Sequence, residues 1–432
     1  MSYFHSVTLD KEKCHGCTNC IKNCPTEAIR VRGGKAKIIK ERCIDCGECI
    51  RICPYHAKRA GTDSLEELKS YKYNIAMTAP SFYGQFENLD DRNKVLTALL
   101  QVGFDDCFEV SIGAEYATMA TKQLLLQQSV TRPIISSACP AVVRLIRERF
   151  PDLLENLSPI LSPMEISALI ARNKAKEKTG FSDEEIGVFF ITPCPAKVTS
   201  IKNPLTLEKS YVSGAFSATE MYLKIRSIVK NLTEVKVFPN SGTHGVSWAK
   251  IGGESSGTGN LRNISVDGIK NVIGILEELE DGKLTDIDFA ELCACPGGCV
   301  GGALNVSNPF IASNRIKNMV RGEKTTAELE ETNVKLTREK EIEPARVMLL
   351  DEDFAKAMEK MEKMEEIYSQ MPKLDCGSCG APSCKALSED IVRGFGNETD
   401  CIFKMREKVK ELAKELFELE EQPYGNNSDE EL

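Results

Sequence analysis

The sequence lacks any apolar run long enough to cross a membrane, and its first residues lack the apolar core of an export signal. A membrane span needs about 20 consecutive apolar residues, whereas the chain begins with the mainly polar segment MSYFHSVTLDKEKC. Basic residues are also in deficit, because 55 Lys and Arg stand against 64 Asp and Glu, a net charge of −9. Nucleic-acid binding relies on a basic surface. We therefore expect a cytoplasmic protein that binds neither membranes nor nucleic acid.

Cysteine is the residue type that the sequence has in excess. The chain of 432 residues contains 18 cysteines, and most of them are clustered. In a long chain without an export signal, clustered cysteines indicate metal binding rather than disulfides. A chain of this length suggests roughly two to four domains. Such domains bury enough apolar surface to fold without disulfides.

The N-terminal region contains an internal repeat of four cysteines and a proline. Cys14-x2-Cys17-x2-Cys20-x3-Cys24-Pro25 returns as Cys43-x2-Cys46-x2-Cys49-x3-Cys53-Pro54. This is the spacing of two-cluster bacterial ferredoxins, in which the fourth cysteine of each run binds the other cluster. The repeat predicts two [4Fe–4S] clusters, one on Cys14, Cys17, Cys20 and Cys53 and one on Cys43, Cys46, Cys49 and Cys24. Zinc is the alternative, but zinc uses two cysteine pairs and would leave the four-cysteine runs unexplained.

Residues 70–310 alternate apolar, strand-like runs with helical patterns, which favours parallel strands with crossover helices. In ISSACP, FFITPCP and LCACPGGC, cysteines follow the end of such a run. These are Cys139, Cys194, Cys295 and Cys299. Because the carboxyl ends of parallel strands share one edge of a sheet, we expect the thiols to converge on a metal group there. Four inert core cysteines are the alternative.

The C-terminal region contains a third cysteine group. Cys376-x2-Cys379-x4-Cys384-x16-Cys401 suits a further [4Fe–4S] cluster, and a structural zinc site stays open. Before this group, residues 351–370 predict an exposed helix on which Met358, Met361 and Met364 form a packing stripe. After it, the pattern predicts an acidic helical tail.

The central motifs resemble the catalytic domain of [FeFe]-hydrogenases, and the C-terminal segment resembles an appendage of the sensory type of that family. Family motifs match at Ser136–Pro140 (SSACP), Pro193–Lys197 (PCPAK) and Ala294–Cys299 (ACPGGC). In the family these motifs hold the H-cluster, a [4Fe–4S] cubane bridged to a diiron unit that carries CO, cyanide and azadithiolate. The resemblance implies that Cys139, Cys194, Cys295 and Cys299 bind the cubane and that Cys299 is the bridge.

The resemblance also implies the walls of the diiron pocket. Ala79, Pro80 and Ser81 match the segment that lines the cyanides, and Lys197 matches the lysine that hydrogen-bonds a cyanide. A cation at this position stabilises an anionic ligand in a dry pocket. Cys293 stands where the family has methionine, which makes this pocket more polar.

The usual proton path of the family is missing. The cysteine that relays protons to the azadithiolate is Ala138 here, and Ser200 replaces a glutamate. Alanine cannot carry a proton, and a hydroxyl relays one only with water, so we expect slow turnover. Cys293, Glu165 and His244 are candidate replacement carriers. The alternatives are a core thiol, a solvated charge at a helix start and an exposed loop residue, respectively.

Together the motifs predict an α/β H-cluster domain with two lobes of parallel sheets and crossover helices. The expected divisions are a ferredoxin-like α+β module at 1–65, the H-cluster domain at 70–312, a charged helical linker at 313–372, a small mostly helical iron–sulfur module at 373–404 and an acidic helical tail at 405–432.

The resemblance favours an H2-responsive hydrogenase of low activity that interconverts H2 with two protons and two electrons and serves as a hydrogen sensor. One alternative is a working hydrogenase with a non-standard proton path coupled to ferredoxin. Another is a non-hydrogenase iron–sulfur electron-transfer or scaffold protein. Expected partners are ferredoxin or another redox protein and maturation proteins. A sensor would need a separate signalling partner, since nothing here resembles a kinase or a DNA-reading helix. The sequence leaves a homodimer open.

Overall fold

The computed structural model describes residues 4–259, 262–322, 326, 329 and 334–420. They fall into two compact units: Met1–Lys13 with Lys40–Met348, called unit 1, and Cys14–Ile39 with Leu349–Leu432, called unit 2. The division follows packing, and the five-part division from the sequence stays a prediction. None of the described helices is both long and apolar enough to cross a bilayer.

The described residues form eleven strands: β1 (Val7–Leu9), β2 (Ile29–Arg32), β3 (Lys35–Ile38), β4 (Lys58–Ala60), β5 (Tyr73–Thr78), β6 (Asp106–Glu109), β7 (Ile134–Ile135), β8 (Ile186–Thr192), β9 (Gly214–Ser217), β10 (Asn263–Asp267) and β11 (Phe289–Cys293).

The same residues form sixteen α-helices: α1 (Asn19–Lys22), α2 (Glu48–Arg51), α3 (Pro80–Tyr83), α4 (Arg92–Leu100), α5 (Val110–Leu125), α6 (Pro140–Arg149), α7 (Pro163–Thr179), α8 (Pro195–Lys202), α9 (Ala218–Asn231), α10 (Thr243–Ser247), α11 (Gly253–Thr258), α12 (Ile269–Glu280), α13 (Pro309–Met319), α14 (Phe354–Ser369), α15 (Cys384–Val392) and α16 (Ile402–Glu420). Short 3-10 helices occupy Lys40–Arg42, Leu65–Ser70, Pro151–Asn156, Cys299–Gly301, Arg346–Met348 and Glu398–Asp400.

Unit 1 is built on two parallel sheets. The larger has the strand order β6-β5-β8-β9 and the smaller β10-β11-β7, and every pairing within them is parallel. Strand β8 is buried at every position, which is typical of parallel strands covered on both faces. Strands β1 and β4 form a separate antiparallel pair. This architecture confirms the predicted α/β fold class.

The apolar cores of unit 1 pack on the faces of its two sheets. Successive residues of β8 enter different cores, with Phe189 and Ile191 on one face of the larger sheet and Val188 and Phe190 on the other, as the pleat requires. Another core packs α6 and α12 against the smaller sheet. Both sheets are therefore held on their faces, and the loops at the carboxyl ends of the strands remain for the site.

Unit 2 joins a hairpin of the N-terminal repeat to the C-terminal helices. Strands β2 and β3 pair across Gly33 and Gly34, whose φ values of +59° and +70° suit a tight hairpin turn. Arg30 and Arg32 on β2 reach Oδ2 of Asp390 on α15 at 2.7 and 2.9 Å. Residues 29–38 therefore form a strand, a Gly-Gly turn and a second strand.

The helix predicted before the C-terminal cysteines is α14, but the prediction that its three methionines form a packing stripe is wrong. Met364 is 6% exposed, whereas Met358 and Met361 are 46% and 48% exposed. Each step of three residues shifts the side chain back by about 60°, so the three methionines spread over roughly 120° of the helix, and only Met364 lies on the side that is buried together with Ile367. Within the described part of residues 320–353, the only helical segment is the 3-10 turn Arg346–Met348.

Candidate metal centre

Four cysteines of unit 1 lie directly after strands of the two sheets. Cys139 and Cys194 each precede a helix that begins with proline, at α6 and α8, and proline is favoured at the first helical position because it needs no amide partner there. Cys295 follows β11, and the turn to Cys299 passes through Gly298 at φ +87°. A Cβ on Gly298 would lie 2.6 Å from the Ile251 nitrogen, so this turn requires glycine.

The four thiols lie close enough to influence each other's ionisation. Burial raises the pKa of the Cys295 thiol to about 12, Cys139 and Cys299 raise it further, and Arg51 lowers it. Burial also raises the pKa of Cys194 and of Cys299, where the neighbouring thiolates act in the same direction. Buried thiols of this kind become thiolates when a metal replaces their protons, so the group is suited to hold metal.

No three of the four central thiols, all in the described part of the chain, lie within 4.8 Å of one another. Among the described residues, only His5, Cys43 and Asp45 bring three ligand atoms within 4.8 Å of one another. Tetrahedral zinc with Zn–S bonds of about 2.3 Å would hold its sulfurs roughly 4 Å apart. Among the described residues, neither the central nor the C-terminal thiols form such a tight group, which suits a larger inorganic cluster better than a single ion.

Most of the residues implied by the family resemblance line one cavity in unit 1. Its walls include residues from the ends of β5 and β11, from the loop before α6 and from α8: Ala79, Pro80, Ser81, Ser136, Ala138, Cys139, Lys197, Glu254, Glu291, Cys293 and Cys299. The cavity thus brings Ala79, Pro80, Ser81, Ala138, Lys197 and Cys293 together with Cys139 and Cys299, whereas its described lining does not include Cys194 or Cys295. Glu254 and Glu291 were not predicted from the sequence.

The polar groups of this cavity fit a group with anionic ligands. The buried hydroxyl of Ser81 has no hydrogen-bond partner among the described residues, and buried hydroxyls are normally paired. The Lys197 ammonium donates to the Ala138 carbonyl oxygen at 3.2 Å. Burial alone lowers the pKa of Lys197, but the field of Cys299, Cys194 and Cys139 raises it above its usual value. Lys197 is therefore a buried cation with donors left for a ligand.

A buried carboxylate pair forms the opposite wall. Ser136 donates its hydroxyl to Glu254 at 2.6 Å, and Glu291 accepts from the amides of Gly252 and Ser255 at 3.0 and 2.9 Å. Burial raises the pKa of Glu254, and the charge of Glu291 raises it further. Glutamate inside the apolar strand FAELC was the only sequence signal. Glu254, in GGESSG, carried none.

The other candidate proton carriers lie away from this wall. Glu165 is 3% exposed rather than solvated, because Ser210 and the Tyr211 amide hold its carboxylate at 2.6 and 2.9 Å. It lines a neighbouring cavity with Ser200, and the two cavities share Ala138, Met164 and Lys197. His244 lies on α10 and is absent from the described lining of either cavity.

The second cysteine run of the repeat packs on the central site within unit 1. Gly47 lies against Pro195 and Ala303, where a Cβ would approach to 3.2 and 2.8 Å. Between Cys43 and Cys46, the Asp45 carboxylate accepts from the Thr199 hydroxyl on α8 at 2.7 Å. Asp45 also accepts from the Val7 amide at 2.9 Å, so its grouping with His5 and Cys43 is part of this packing.

The C-terminal cysteines belong to unit 2 and pack on its hairpin. Cys384 and Cys401 are buried, and Cys376 is exposed. Arg32 donates to the Cys379 carbonyl oxygen at 2.6 Å, and the Val31 amide donates to Gly380 at 2.8 Å. These contacts hold the loop around Cys379 against β2.

Three family models match the chain. The model described as the C-terminal domain of the iron-only hydrogenase large subunit matches residues 72–237 and 209–303. A 4Fe-4S dicluster domain matches residues 6–54, and an Fe-S cluster family matches residues 371–403. The three matches cover the three cysteine regions.

Curated relatives point to the same family at low identity. Iron hydrogenase 1 of Clostridium pasteurianum is 27% identical over 316 residues, which cover 66% of this chain and 54% of that protein. The periplasmic [Fe] hydrogenase large subunit of Nitratidesulfovibrio vulgaris is 26% identical over 363 residues, 69% of this chain and 86% of its own. The chain therefore spans about half of the Clostridium protein.

Two further comparisons concern a different function and a solved structure. The cytosolic Fe-S cluster assembly factor oxy-4 of Caenorhabditis elegans is 21% identical over 321 residues, 63% of this chain and 66% of that protein. A solved [FeFe]-hydrogenase variant from Chlamydomonas reinhardtii has a TM-score of 0.46 and 16% identity, and the match covers 58% of this chain and 84% of that one.

Proposed function

The chain belongs to the iron-only ([FeFe]) hydrogenase large-subunit family, and from this membership we propose that it interconverts H2 with protons and electrons slowly, as a hydrogen sensor. The observation that carries the proposal is the cavity where the thiol group meets the Lys197 ammonium and the unpartnered Ser81 hydroxyl. A scaffold for a cubane alone has no use for these two donors.

The residues present fit an H-cluster. Cys139, Cys194, Cys295 and Cys299 would hold its cubane, with Cys299 at the cavity wall, and the bound group supplies the redox-active iron at which H2 is cleaved. Lys197 and Ser81 would donate hydrogen bonds to anionic ligands of the cluster, without competition from water. Ala79 and Pro80 present an apolar wall that excludes water from the same space.

Protons would leave along the carboxylate wall rather than through Ala138. The Cys293 thiol lies at the cavity, where burial raises its pKa well above the usual value and the nearby charges of Glu291 and Glu254 add to that increase. Ser136 links the cavity to Glu254 at 2.6 Å. A carboxylate whose pKa is raised toward neutrality both accepts and releases a proton easily.

The far end of this relay reaches solvent. Ser265 lies opposite Glu291 in the pairing of β10 with β11, and its hydroxyl lies 3.4 Å from the Glu291 carboxylate. Ser265 is exposed, so Glu291 has a route to water. The relay also supports the second candidate, a working hydrogenase with a non-standard proton path that feeds ferredoxin.

Electrons would pass through the iron–sulfur clusters. The second cysteine run lies in unit 1 beside the central thiols, and the C-terminal cysteines lie in unit 2 beside the hairpin of the first run. We propose that ferredoxin or another redox protein exchanges electrons with these clusters, and that maturation proteins supply the diiron unit. The separate signalling partner and the cytoplasmic location stay predictions.

A non-hydrogenase function is the remaining candidate, and the similarity to an Fe-S cluster assembly factor favours it. Infrared spectra of the anaerobically matured protein under argon and then under H2 distinguish the two. CO and cyanide bands that shift under H2 support the proposal. If iron loading is verified and these bands are absent, the chain is an electron carrier or scaffold. A sensor and a working hydrogenase then differ in specific activity.

A further inference from the structure

Helix α16 in unit 2 carries a complete apolar stripe on its surface. Every apolar residue of the stripe is exposed, between 38% and 64% of its side chain: Ile402, Met405, Val409, Leu412, Leu416 and Leu419. No residue of α16 is buried within the described chain. Single exposed apolar side chains are ordinary, but a continuous row of six along one helix indicates an interaction surface.

The spacing of the stripe is that of a coiled coil. Its residues recur at alternating steps of three and four, so Ile402, Val409 and Leu416 take the first core position of each heptad. Met405, Leu412 and Leu419 take the second. A helix that packs on its own globular domain shows a broader apolar face. Apart from Phe403, which packs on the core of unit 2, and the exposed Phe417, the large apolar residues of α16 keep to two positions in seven, which fits one partner helix.

We propose that this stripe binds the same stripe of a second copy of the chain, with the two helices antiparallel. First and second core positions alternate along the stripe, so turning one helix around still matches each first core position with a second core position. In that orientation Ile402 meets Leu419, Met405 meets Leu416 and Val409 meets Leu412 of the second copy, so every core layer is filled and none is left over.

The flanking charges choose the antiparallel orientation. The residue just before Val409 is Lys408, and the residue just before Leu416 is Glu415. In an antiparallel pair, this flanking position of one helix faces the same flanking position of the other. Lys408 then faces Glu415 of the second copy, twice by symmetry. A parallel pair would instead place Glu415 beside Glu420 of the second copy, and like charges at such positions are destabilising.

The dimer requires that α16 is helical in both copies of the chain. A helix of 19 residues is about 28 Å long, and an isolated helix of this length is only marginally stable in water. Unit 2 removes that obstacle, because Cys401 and the 3-10 turn Glu398–Asp400 anchor the start of α16. The dimer would therefore form from preordered helices.

Sedimentation of the full, cluster-loaded chain at about 5 to 200 µM tests the proposal. We expect a concentration-dependent dimer. Leu412→Asp places a charge in both central layers and should weaken association on the order of a hundredfold. Lys414→Glu, on the outer face of the same helix, is the matched control and should leave the dimer unchanged. Circular dichroism and iron content verify that each variant is folded.

Charge exchange tests the orientation. Lys408→Glu and Glu415→Lys should each weaken the dimer several-fold, and the double variant should restore it. A wild-type monomer over the whole range would overturn the proposal, and the stripe would then bind another protein. A dimer that survives Leu412→Asp would place the interface elsewhere. A dimer that tightens on Glu415→Lys would be parallel, which also contradicts the proposal.

Discussion

The guanidinium of Arg51 donates a hydrogen bond to the Gly301 carbonyl oxygen at 2.8 Å. Arg51 follows Cys49 in the second cysteine run, and Gly301 lies in the turn that begins at Cys299. The same guanidinium hydrogen-bonds the Cys295 thiol and interacts with Cys46. Arg51 therefore places one positive charge between Cys46, a predicted ligand of an N-terminal cluster, and Cys295, a predicted ligand of the central group.

The first prediction is that Arg51→Gln lowers the reduction potential of the central cubane. A cation that hydrogen-bonds a cluster sulfur stabilises the reduced, more negative state. Loss of one charge-assisted bond corresponds to roughly 65–130 mV for one electron. An EPR-monitored redox titration measures the shift. Arg59→Gln, which changes an exposed arginine paired with Asp10, is the control, and equal potentials in all three proteins would contradict the role of Arg51.

Local spacing explains how much of this site could be predicted from the sequence. The cysteine runs, the prolines after them and the strand-like segments before Cys139 and Cys194 are all close in the chain. Short motifs therefore predict the sheet edge, which the structure contains, and the candidate ligands, whose metal binding stays a prediction. Ser81 and Lys197 needed the family resemblance, because neither residue type names a ligand on its own.

Contacts between distant segments explain what could not be predicted. Glu254 reaches the cavity only because α11 packs over β11, where Glu291 binds the amides at the start of that helix. The link between Arg51 and Cys295 joins segments that are remote in the chain. Asp390 likewise pairs with Arg30 only after the C-terminal helices pack on the hairpin. Such pairings depend on tertiary packing, which a single sequence does not encode in any local pattern.

The second prediction is that Glu254→Gln and Glu291→Gln each reduce H2 turnover at least tenfold. Glutamine keeps the shape of the relay but cannot carry a proton, and general acid–base groups typically contribute 10²–10⁴-fold. The infrared bands should remain, because neither residue holds the cluster. Glu165→Gln, in the neighbouring cavity, is the control. Loss of turnover in that variant alone would move the proton path to the other cavity.

The third prediction is that Ala138→Cys raises turnover. Ala138 lines both cavities beside Lys197, and a thiol there restores the proton carrier that the family has at this position. Solvent hydrogen isotope effects and rates from pH 5 to 9 would show whether proton transfer limits the reaction. Ala138→Ser tests whether the thiol is needed or any hydroxyl suffices. An unchanged rate in both variants would place the limiting step elsewhere.

The fourth prediction concerns stability and pH. Burial raises the pKa of Glu165 to about 7, above its value of about 4.3 in an unfolded chain. Below about pH 4.3, Glu165 is neutral in both the folded and the unfolded protein and does not change the free energy of unfolding. Between about pH 4.3 and 7, Glu165 ionises in the unfolded chain before it ionises in the folded protein, so the free energy of unfolding falls as pH rises.

Glu165→Gln should therefore stabilise the fold more at pH 8 than at pH 5. The difference in the free energy of unfolding should be roughly 1–3 kcal/mol, which a larger rise in melting temperature at pH 8 would show. Glutamine can still accept the hydrogen bond from Ser210 or Tyr211, so the cavity keeps its wall. The exposed Glu280→Gln variant controls for a simple change of net charge. A pH-independent effect of Glu165→Gln would mean that this carboxylate is already ionised when buried.

The fifth prediction is that the C-terminal cysteines bind iron rather than zinc. Their thiols do not approach one another as closely as a single ion demands, as far as the described residues show, so a [4Fe–4S] cluster suits them better. Cys379→Ala and Cys384→Ala should each remove about four irons per chain, the content of one cubane, and leave the infrared bands of the central site intact. Cys107→Ala is the matched control, because that thiol is buried in the core beside the Leu96 carbonyl oxygen. Unchanged iron in both variants, together with loss of one zinc, would identify a structural zinc site and end the electron route at the N-terminal clusters.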